Sequence, residues 1–189
     1  MRITRALKTI MEMVRGELVV AANGRISREA FTLRDRPENF YMIGSMGLAS
    51  SIALGLALSQ PKRKVVILDG DGNVLMNLGV LPQIGALLPP NLLHIVLDNE
   101  VYGSTGNQCT ISSAVGLEKI ARSSGYLVVK KITEEKSLRP TLRQYLKARG
   151  PVFLLAKVEA EVEPKGIKRV MHSPVEIRNR FMKSIGSKP

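Results

Sequence analysis

The chain has 189 residues, of which 44% are apolar and 23% are charged, and it contains 16 glycines, 10 prolines and one cysteine. This length suits one domain with a buried core, and the composition excludes collagen-like, disordered and disulfide-stabilised proteins. Cys109 cannot form an internal disulfide or hold a cysteine-rich metal site by itself, which is typical of a cytoplasmic protein. No run of about 20 predominantly apolar residues indicates a membrane span, so we expect no membrane contact.

The chain carries 28 lysines and arginines against 16 acidic residues, a net charge of +12. A strongly basic chain can indicate nucleic-acid binding. With only four tyrosines and four phenylalanines, however, the sequence lacks the alternation of aromatic and basic residues that a single-strand platform needs. We therefore expect anionic small molecules or acidic protein surfaces as partners, and no nucleic acid as the main partner.

Apolar periodicity and turn residues predict alternating helices and strands in the first half of the chain. In order, these are an amphipathic helix over 3–14, a strand over 17–22 that ends at the Asn23-Gly24 turn, a helix from Ser27, a small-residue helix over 46–59, a strand over 64–68, and a Gly-Asp-Gly loop over 69–73. A short apolar segment follows through Leu88, where Pro82 argues against a long helix.

The second half continues the alternation. It is predicted to contain a strand over 92–97, a polar loop over 102–108, a helix over 115–123, a strand over 127–132, a helix over 138–148 and a strand over 151–158. Continuous apolar strands between amphipathic helices are typical of an α/β fold with a doubly wound, mostly parallel sheet. We expect one domain over 1–159 and a basic C-terminal tail over 160–189, in which the basic residues include Lys165, Lys168, Arg169, Arg178, Arg180, Lys183 and Lys188.

Parallel sheets bind ligands beyond the carboxyl ends of their strands. Three polar or glycine-rich segments are expected at that edge, namely Asn23-Gly24, the segment from Asp69 to Asn73, and the segment from Asp98 to Gly106. Asp71 lies between Gly70 and Gly72 and is a candidate ligand for a hard cation, while Asn99 offers an amide oxygen at the next strand end. Because Mg²⁺ favours one or two carboxylates together with phosphate oxygens, the pair indicates a magnesium–diphosphate site.

Three segments carry a resemblance to a known family: GRISREAF from Gly24 to Phe31, IGSMGLASSIALGLAL from Ile43 to Leu58, and DNEVYGSTGNQ from Asp98 to Gln108. Together with Gly70-Asp71-Gly72, they resemble the cofactor-binding half of thiamine diphosphate enzymes. The nearest resemblance is to the sulfopyruvate and phosphonopyruvate decarboxylases, over about 17–158. It implies a thiamine diphosphate-binding fold and a carboxy-lyase.

The resemblance also implies roles for individual residues. Asp71, Asn99 and the backbone carbonyl of Val101 would ligate Mg²⁺, and Met46 would hold the cofactor in its bent shape. The carbonyl of Gly44 would bind the cofactor's 4′-amino group. The remaining cofactor-binding residues implied are Asn23, Gly24, Ser45, Gly70, Gly72, Asn73 and Tyr102.

The substrate implied is a 2-oxoacid with an anionic tail, and Arg25, Ser27 and Arg28 are candidates to bind that tail. Ser104 and Thr105 are candidates for the mouth of the site. A separate subunit resembles sulfopyruvate decarboxylase more than phosphonopyruvate decarboxylase, so we expect sulfopyruvate to give sulfoacetaldehyde and CO₂, a step of coenzyme M biosynthesis.

The resemblance further implies that the glutamate which activates the cofactor's pyrimidine lies on another chain. We therefore expect a pyrimidine-binding α subunit of similar size, an α₂β₂ or larger assembly, and no activity from this chain alone. His94, within an apolar strand, is expected to be a core residue, and His172 a surface residue. The alternatives are a phosphonopyruvate decarboxylase, another split thiamine diphosphate enzyme, such as a 2-oxoacid oxidoreductase or acetolactate-synthase-like subunit, and a non-catalytic basic nucleic-acid-binding or scaffold protein.

Overall fold

The computed structural model describes residues 1–161 and 166–186. Its main sheet has six strands, all parallel, in the order β2-β1-β3-β4-β8-β7, and a two-stranded antiparallel hairpin, β5-β6, follows β4. The strands are β1 (Leu18–Ala21), β2 (Asn39–Tyr41), β3 (Val65–Gly70), β4 (Leu92–Asp98), β5 (Val101–Tyr102), β6 (Gln108–Cys109), β7 (Val128–Ile132) and β8 (Val152–Lys157). The predicted α/β fold with a doubly wound parallel sheet is confirmed.

Helices cover the sheet in two layers, since α1 contacts α2 and α7 while α5 contacts α3 and α6. Their bounds are α1 (Ile3–Met13), α2 (Arg25–Leu33), α3 (Ala49–Ser59), α4 (Asp71–Met76), α5 (Val80–Leu87), α6 (Leu117–Ser123), α7 (Glu135–Tyr145) and α8 (Pro174–Ser184). The segment expected to be limited by Pro82 does form a helix, α5, because Pro82 lies in its first turn, where no intrahelical N–H donor is needed.

The core lies around the central strands β3 and β4. Side chains from Val65 to Leu68 and from Leu92 to Leu97 are essentially inaccessible to solvent on both faces of the sheet. Burial on both faces explains why these strands read as continuous apolar runs in the sequence. The same burial isolates two polar side chains within the sheet, Asp69 and His94, each with 0% exposure.

The chain leaves β1 and β3 in opposite directions across the sheet. β1 is followed by β2 towards one edge, whereas β3 is followed by β4 towards the other edge. Such a switch point opens a crevice beyond the carboxyl ends of the two strands. The segments after Ala21 and Gly70 therefore begin next to each other, as required for the site predicted at this edge of the sheet.

The C-terminal tail contains a helix that the sequence analysis did not predict. α8 begins with a capping box, in which the Ser173 hydroxyl accepts from the Glu176 N–H and the Glu176 carboxylate accepts from the Ser173 N–H. Phe181 of this helix packs edge-on against Phe40 of β2, with the ring centroids 5.5 Å apart. β2 was not predicted either, because a three-residue strand has too short a pattern. Lys165 and Lys188 of the expected basic tail lie outside the described residues.

Gly85 permits the close approach of α5 to the end of α6. A Cβ atom at this position would lie 1.6 Å from the carbonyl oxygen of Ser124. We expect Gly85→Ala to lower the free energy of unfolding by about 1–3 kcal/mol, because overpacking must displace backbone. Urea unfolding measures this change. Gly55→Ala is the matched control, since Gly55 lies in α3 with nothing near its Cβ position, and should not destabilise the chain. Equal effects of the two substitutions would contradict the prediction.

Candidate functional site

A cleft at the carboxyl ends of β1, β3 and β4 gathers most of the residues that the sequence analysis selected. Those lining it are Asn23, Gly24, Arg25, Met46, Gly70, Asp71, Gly72, Asn73, Asn99, Val101 and Tyr102. Gly103 and Ser104 extend the lining on the hairpin side. Three separate parts of the chain thus meet where the topology of the sheet requires a crevice.

The Gly-Asp-Gly-Asn segment is not the loop that was predicted. Gly70 ends β3, and Asp71 begins the short helix α4 directly. The first N–H groups of a helix have no acceptor within the helix, so those of α4 could donate to an anion in the cleft. Gly72 cannot be replaced by a larger residue without movement, because its Cβ position lies 2.5 Å from Cε1 of Tyr102. The Tyr102 ring therefore covers the backbone at the start of α4.

Asp71 is buried, with 2% exposure, and is held by hydroxyl groups from the segment after the hairpin. Thr110 Oγ1 donates to Asp71 Oδ2 over 2.5 Å, and Ser112 Oγ lies 3.1 Å from the same oxygen. Burial raises the pKa of Asp71, and the charge of Asp98 adds to this effect, whereas the hydrogen bonds from Thr110 and Ser112 oppose it. A cation beside Asp71 would offset the cost of this buried charge.

Sequence reasoning missed Thr110 and Ser112, because hydroxyl residues in a loop have no distinctive spacing. Ser112 also reaches the second carboxylate of the site, with its Oγ 2.9 Å from Asp98 Oδ1. Lys157 Nζ, at the end of β8, donates to Asp98 Oδ2 over 2.9 Å and to Glu100 Oε1 over 2.6 Å. Burial opposes the charge on Lys157, but its hydrogen bonds to Glu100 and Asp98 raise its pKa overall. Asp98 is thus ion-paired with Lys157 within the chain, whereas Asp71 lines the cleft.

Asn99 and Val101 form a local turn at the end of β4. Asn99 Oδ1 accepts from the Val101 N–H over 3.3 Å, and the intervening Glu100 has a φ of 62°. Over residues 1–161 and 166–186, no group of three or more histidine, cysteine, aspartate or glutamate side chains is arranged to hold a metal. A metal at this cleft would therefore depend on one carboxylate, amide and carbonyl oxygens, and the oxygens of its ligand. This donor set suits Mg²⁺.

Met46 does not lie on a helix, contrary to the prediction. It precedes α3 in a tight turn, where Ser45 has a φ of 55° and Gly47 a φ of 94°. The turn projects the Met46 side chain into the cleft, where 37% of it remains exposed. Gly44 and Ser45 do not line the cleft itself but an adjoining apolar groove with Phe40, Leu48, Ile52 and Ile177.

The structure separates the three candidates for an anionic substrate tail. Arg25 is engaged by carboxylates, with Nε 2.5 Å from Glu29 Oε1 and an Nη atom 2.9 Å from Glu161 Oε1. The Ser27 hydroxyl is buried and donates to the carbonyl of Ala21 over 2.9 Å. Arg28 lines a second cavity of about 560 Å³, which adjoins the cleft at Gly24 and Ser104. Arg169, which was not selected from the sequence, lines the same cavity.

Both histidines lie where the sequence predicts. His94 is fully buried in β4, with Nδ1 3.0 Å from the Tyr126 hydroxyl and Nε2 3.2 Å from Asp69 Oδ2. His172 is at the surface, where its Nε2 lies 3.0 Å from Asp35 Oδ2 and its ring packs against Phe31. Arg180 of α8 also contacts Asp35 and His172.

The fold and the cleft define an α/β domain with a glycine-rich, polar crevice at the carboxyl edge of its parallel sheet. Residues 23–156 match the family model described as "Thiamine pyrophosphate enzyme, C-terminal TPP binding domain". The chain therefore belongs to the thiamine pyrophosphate enzymes, as the sequence resemblance predicted.

No helix in the described part of the chain has the length and apolar character needed to cross a membrane.

Curated relatives indicate which thiamine pyrophosphate enzymes the chain resembles. The chain is 42% identical over 187 residues to sulfopyruvate decarboxylase subunit beta from Methanococcus maripaludis, covering 98% of this chain and 99% of that one. It is 41% identical to phosphonopyruvate decarboxylase from Streptomyces viridochromogenes over the whole of this chain but only 47% of that protein. These relatives are decarboxylases. A crystal structure of benzoylformate decarboxylase from Polynucleobacter necessarius has the same fold, with a TM-score of 0.73 and 18% identity, covering 87% of this chain and 34% of that one.

Proposed function

We propose that this chain is the β subunit of a decarboxylase that uses thiamine diphosphate and Mg²⁺ and converts sulfopyruvate to sulfoacetaldehyde and CO₂. One observation carries the proposal above the others. The chain is 42% identical to two sulfopyruvate decarboxylase β subunits over nearly its whole length, and 50% identical to a third over 121 residues. Such a reaction belongs to coenzyme M biosynthesis, and the cytoplasmic location we propose is consistent with the free, exposed Cys109.

The residues of the cleft fit the cofactor. Asp71, Asn99 and the carbonyl of Val101 would hold Mg²⁺, while backbone groups of Asn23, Gly24, Gly72 and Asn73, beside Gly70 and Tyr102, would hold the diphosphate. Met46, in the turn with Ser45, would support the bend of the cofactor, and the Gly44 carbonyl would accept from its amino group. When bound, thiamine diphosphate supplies the electron sink for loss of CO₂ from a 2-oxoacid. The protein orients the bound molecules and limits the access of water.

An α partner would cover the apolar side of the cleft. Large apolar side chains are exposed around the turn that precedes α3 and on the adjoining face of α3 and α4. They are Ile43 at 55%, Met46 at 37%, Leu48 at 45%, Ile52 at 37% and Met76 at 61%. Ile43, Leu48 and Ile52 line one groove, and an exposed apolar patch of this kind is typical of a protein interface. We propose that a pyrimidine-binding subunit of similar size docks here, in an α₂β₂ or larger assembly.

The cavity beside the cleft is the proposed site for the substrate's anionic tail. Arg28 and Arg169 both line it, and it opens next to the diphosphate end of the cleft. A guanidinium group recognises a sulfonate or a phosphonate by charge and by paired hydrogen bonds. Arg25 is a weaker candidate, because it does not line this cavity and is ion-paired with Glu29 and Glu161. Ser27 lines the cavity, but its hydroxyl donates to the carbonyl of Ala21. Arg28 also has a contact within the chain, since its Nε donates to the carbonyl of Gly24 over 3.3 Å.

We expect Arg169→Gln to raise the KM for sulfopyruvate about tenfold with little change in kcat, because a charged hydrogen bond to the tail is lost. Steady-state kinetics of the assembled α–β enzyme measure this effect. Lys168→Gln is the matched control, since it removes the same charge one residue away but does not line the cavity. The same rise in KM for both variants would indicate general electrostatic attraction instead of a site.

The function is tested by isolating this chain from its native lysate in the presence of Mg²⁺ and thiamine diphosphate. Mass spectrometry should then find a second chain of similar size, and the complex should release CO₂ from sulfopyruvate faster than from phosphonopyruvate. Preference for phosphonopyruvate would assign the alternative decarboxylase. Bound flavin or iron would indicate a different split thiamine diphosphate enzyme, and recovery of nucleic acid without the cofactor would support a binding protein.

A further inference from the structure

A row of buried polar side chains runs from the core of the sheet to the cofactor cleft. It starts at the Tyr126 hydroxyl, continues through His94 on β4 and Asp69 near the end of β3, and reaches Asn73 on α4. All four side chains are buried, with exposures of 5%, 0%, 0% and 6% in that order. Burial of a carboxylate and an imidazole at the centre of a sheet is costly unless each polar atom has a partner.

The chemistry of these groups gives the row a single consistent direction. The Asp69 carboxylate can only accept hydrogen bonds, so the facing Nε2 of His94 carries the proton. Nδ1 of a neutral His94 is then an acceptor, and the Tyr126 hydroxyl donates to it. Burial, together with the charge of Asp69, raises the pKa of Tyr126 well above its usual value, so this hydroxyl keeps its proton.

Asp69 also determines the orientation of the Asn73 amide. Asn73 Nδ2 donates to Asp69 Oδ1 over 2.5 Å, so its Oδ1 points the other way and accepts from the Gly47 N–H over 2.7 Å. A flipped Asn73 amide would place its NH₂ group against the N–H of Gly47 and its oxygen against Asp69. At the residue that follows α4, Asn77 Nδ2 donates to the carbonyl of Gly47 over 3.1 Å. Two asparagines therefore hold both backbone polar groups of Gly47.

Gly47 closes the turn that carries Met46 into the cleft. Gly47 adopts its φ of 94° without steric cost, but the φ of 55° at Ser45 is a conformation that a residue other than glycine keeps only with support from its surroundings. The hydrogen bonds of Gly47 with Asn73 and Asn77 supply that support, and Asp69 orients the Asn73 amide. We propose that Tyr126, His94 and Asp69 are positioning residues of the cofactor cleft, which act through Asn73 to hold the Ser45–Gly47 turn and Met46 in place. Its consequence for cofactor binding rests on the function proposed above.

The test compares two substitutions of His94. His94→Phe keeps the ring volume but removes both hydrogen bonds, whereas His94→Gln retains an N–H that can donate to Asp69. We expect His94→Phe to speed the hydrogen exchange of the Gly47 amide, followed by NMR on the cofactor-free chain, by about tenfold, as for loss of one supporting hydrogen bond. Calorimetry on the α–β complex should show about tenfold weaker thiamine diphosphate binding by His94→Phe. His94→Gln should keep most of the wild-type protection of the Gly47 amide and most of the cofactor affinity.

Asn91→Ala is the control for a general loss of stability. Asn91 is also buried and polar, but its Nδ2 donates to the carbonyls of Ala57, Gln60 and Arg63, away from the cleft. This variant should lower the melting temperature without changing Gly47 exchange. If His94→Phe does not fold, Tyr126→Phe, which removes one hydroxyl, should speed Gly47 exchange in the same direction.

Unchanged Gly47 exchange in a folded His94→Phe or Tyr126→Phe variant would overturn the proposal and leave His94 as an ordinary core residue. Faster exchange without any cofactor binding by the wild-type complex would support the positioning role and contradict the proposed function instead. The two proposals can therefore fail separately.

Discussion

Asp71→Asn is expected to abolish Mg²⁺-dependent binding of thiamine diphosphate. The substitution keeps the shape of the side chain but removes the only carboxylate among the described residues that line the cleft. Changes around a metal's ligands typically weaken binding about 10–100-fold, and loss of the ligand's own charge should exceed that. Calorimetric titration of the assembled enzyme with thiamine diphosphate, with and without Mg²⁺, measures the effect.

The matched control for Asp71→Asn is Asp35→Asn. Asp35 is a carboxylate with hydrogen bonds of its own, from Tyr41, His172 and Arg180, but it anchors α8 and does not line the cleft. Asp35→Asn should reduce stability and leave cofactor affinity unchanged. Asp71→Asn should leave the cofactor-free chain folded. Burial raises the pKa of the Asp71 carboxyl group, so the neutral amide removes a charge that burial disfavours. Undiminished cofactor binding by folded Asp71→Asn would refute the assignment of the metal site.

Asp71→Asn also separates the enzyme from a basic nucleic-acid-binding protein. A nucleic-acid interaction driven by the charge of +12 would survive the loss of one acidic residue and would weaken steeply with added salt. The decarboxylase is therefore supported if Asp71→Asn loses cofactor binding and the chain shows no salt-dependent binding of DNA or RNA. The opposite pair of results would assign the chain to the alternative class.

The purified chain without a partner is expected to show no turnover of 2-oxoacids. Among the described residues, the lining of its cleft contains no glutamate. Under the proposed function, the glutamate that activates the cofactor's pyrimidine lies on the α subunit. The exposed apolar side chains around Met46 also leave the bound cofactor open to water until a partner covers them. Adding the α subunit should raise activity from the uncatalysed background to ordinary enzymatic rates of about 1–1,000 s⁻¹.

The measurement is CO₂ release from sulfopyruvate by each chain alone and by the two mixed in equal amounts. The α subunit mixed with Asp71→Asn serves as the control, since it can assemble but should remain inactive. Appreciable decarboxylation by the wild-type chain alone would contradict the division of the site between two chains.

The amino-acid sequence by itself determined the class of fold and placed the candidate site residues at one edge of the sheet. The buried strands read as continuous apolar runs because both faces of a parallel sheet are covered, and this local pattern needs no tertiary information. The Asp71 and Asn99 segments could be placed at one edge because parallel strands end together. α8 also has a sequence signal, because Ser173 and Glu176 have the spacing of a capping box and Pro174 lies at the first helical position.

Only the tertiary structure decided which polar groups are already engaged. Arg25 and Arg28 are equivalent in sequence, yet Arg25 is ion-paired with Glu29 and Glu161 and lines the cofactor cleft. Arg28 donates to the carbonyl of Gly24 and lines a different cavity, to which Arg169 contributes from a distant part of the chain. The contacts of Thr110 with Asp71, and of His94 with Asp69, join residues far apart along the chain. Local patterns report propensity and burial, but the pairing of hydrogen-bond donors with acceptors depends on distances that exist only after the chain has folded.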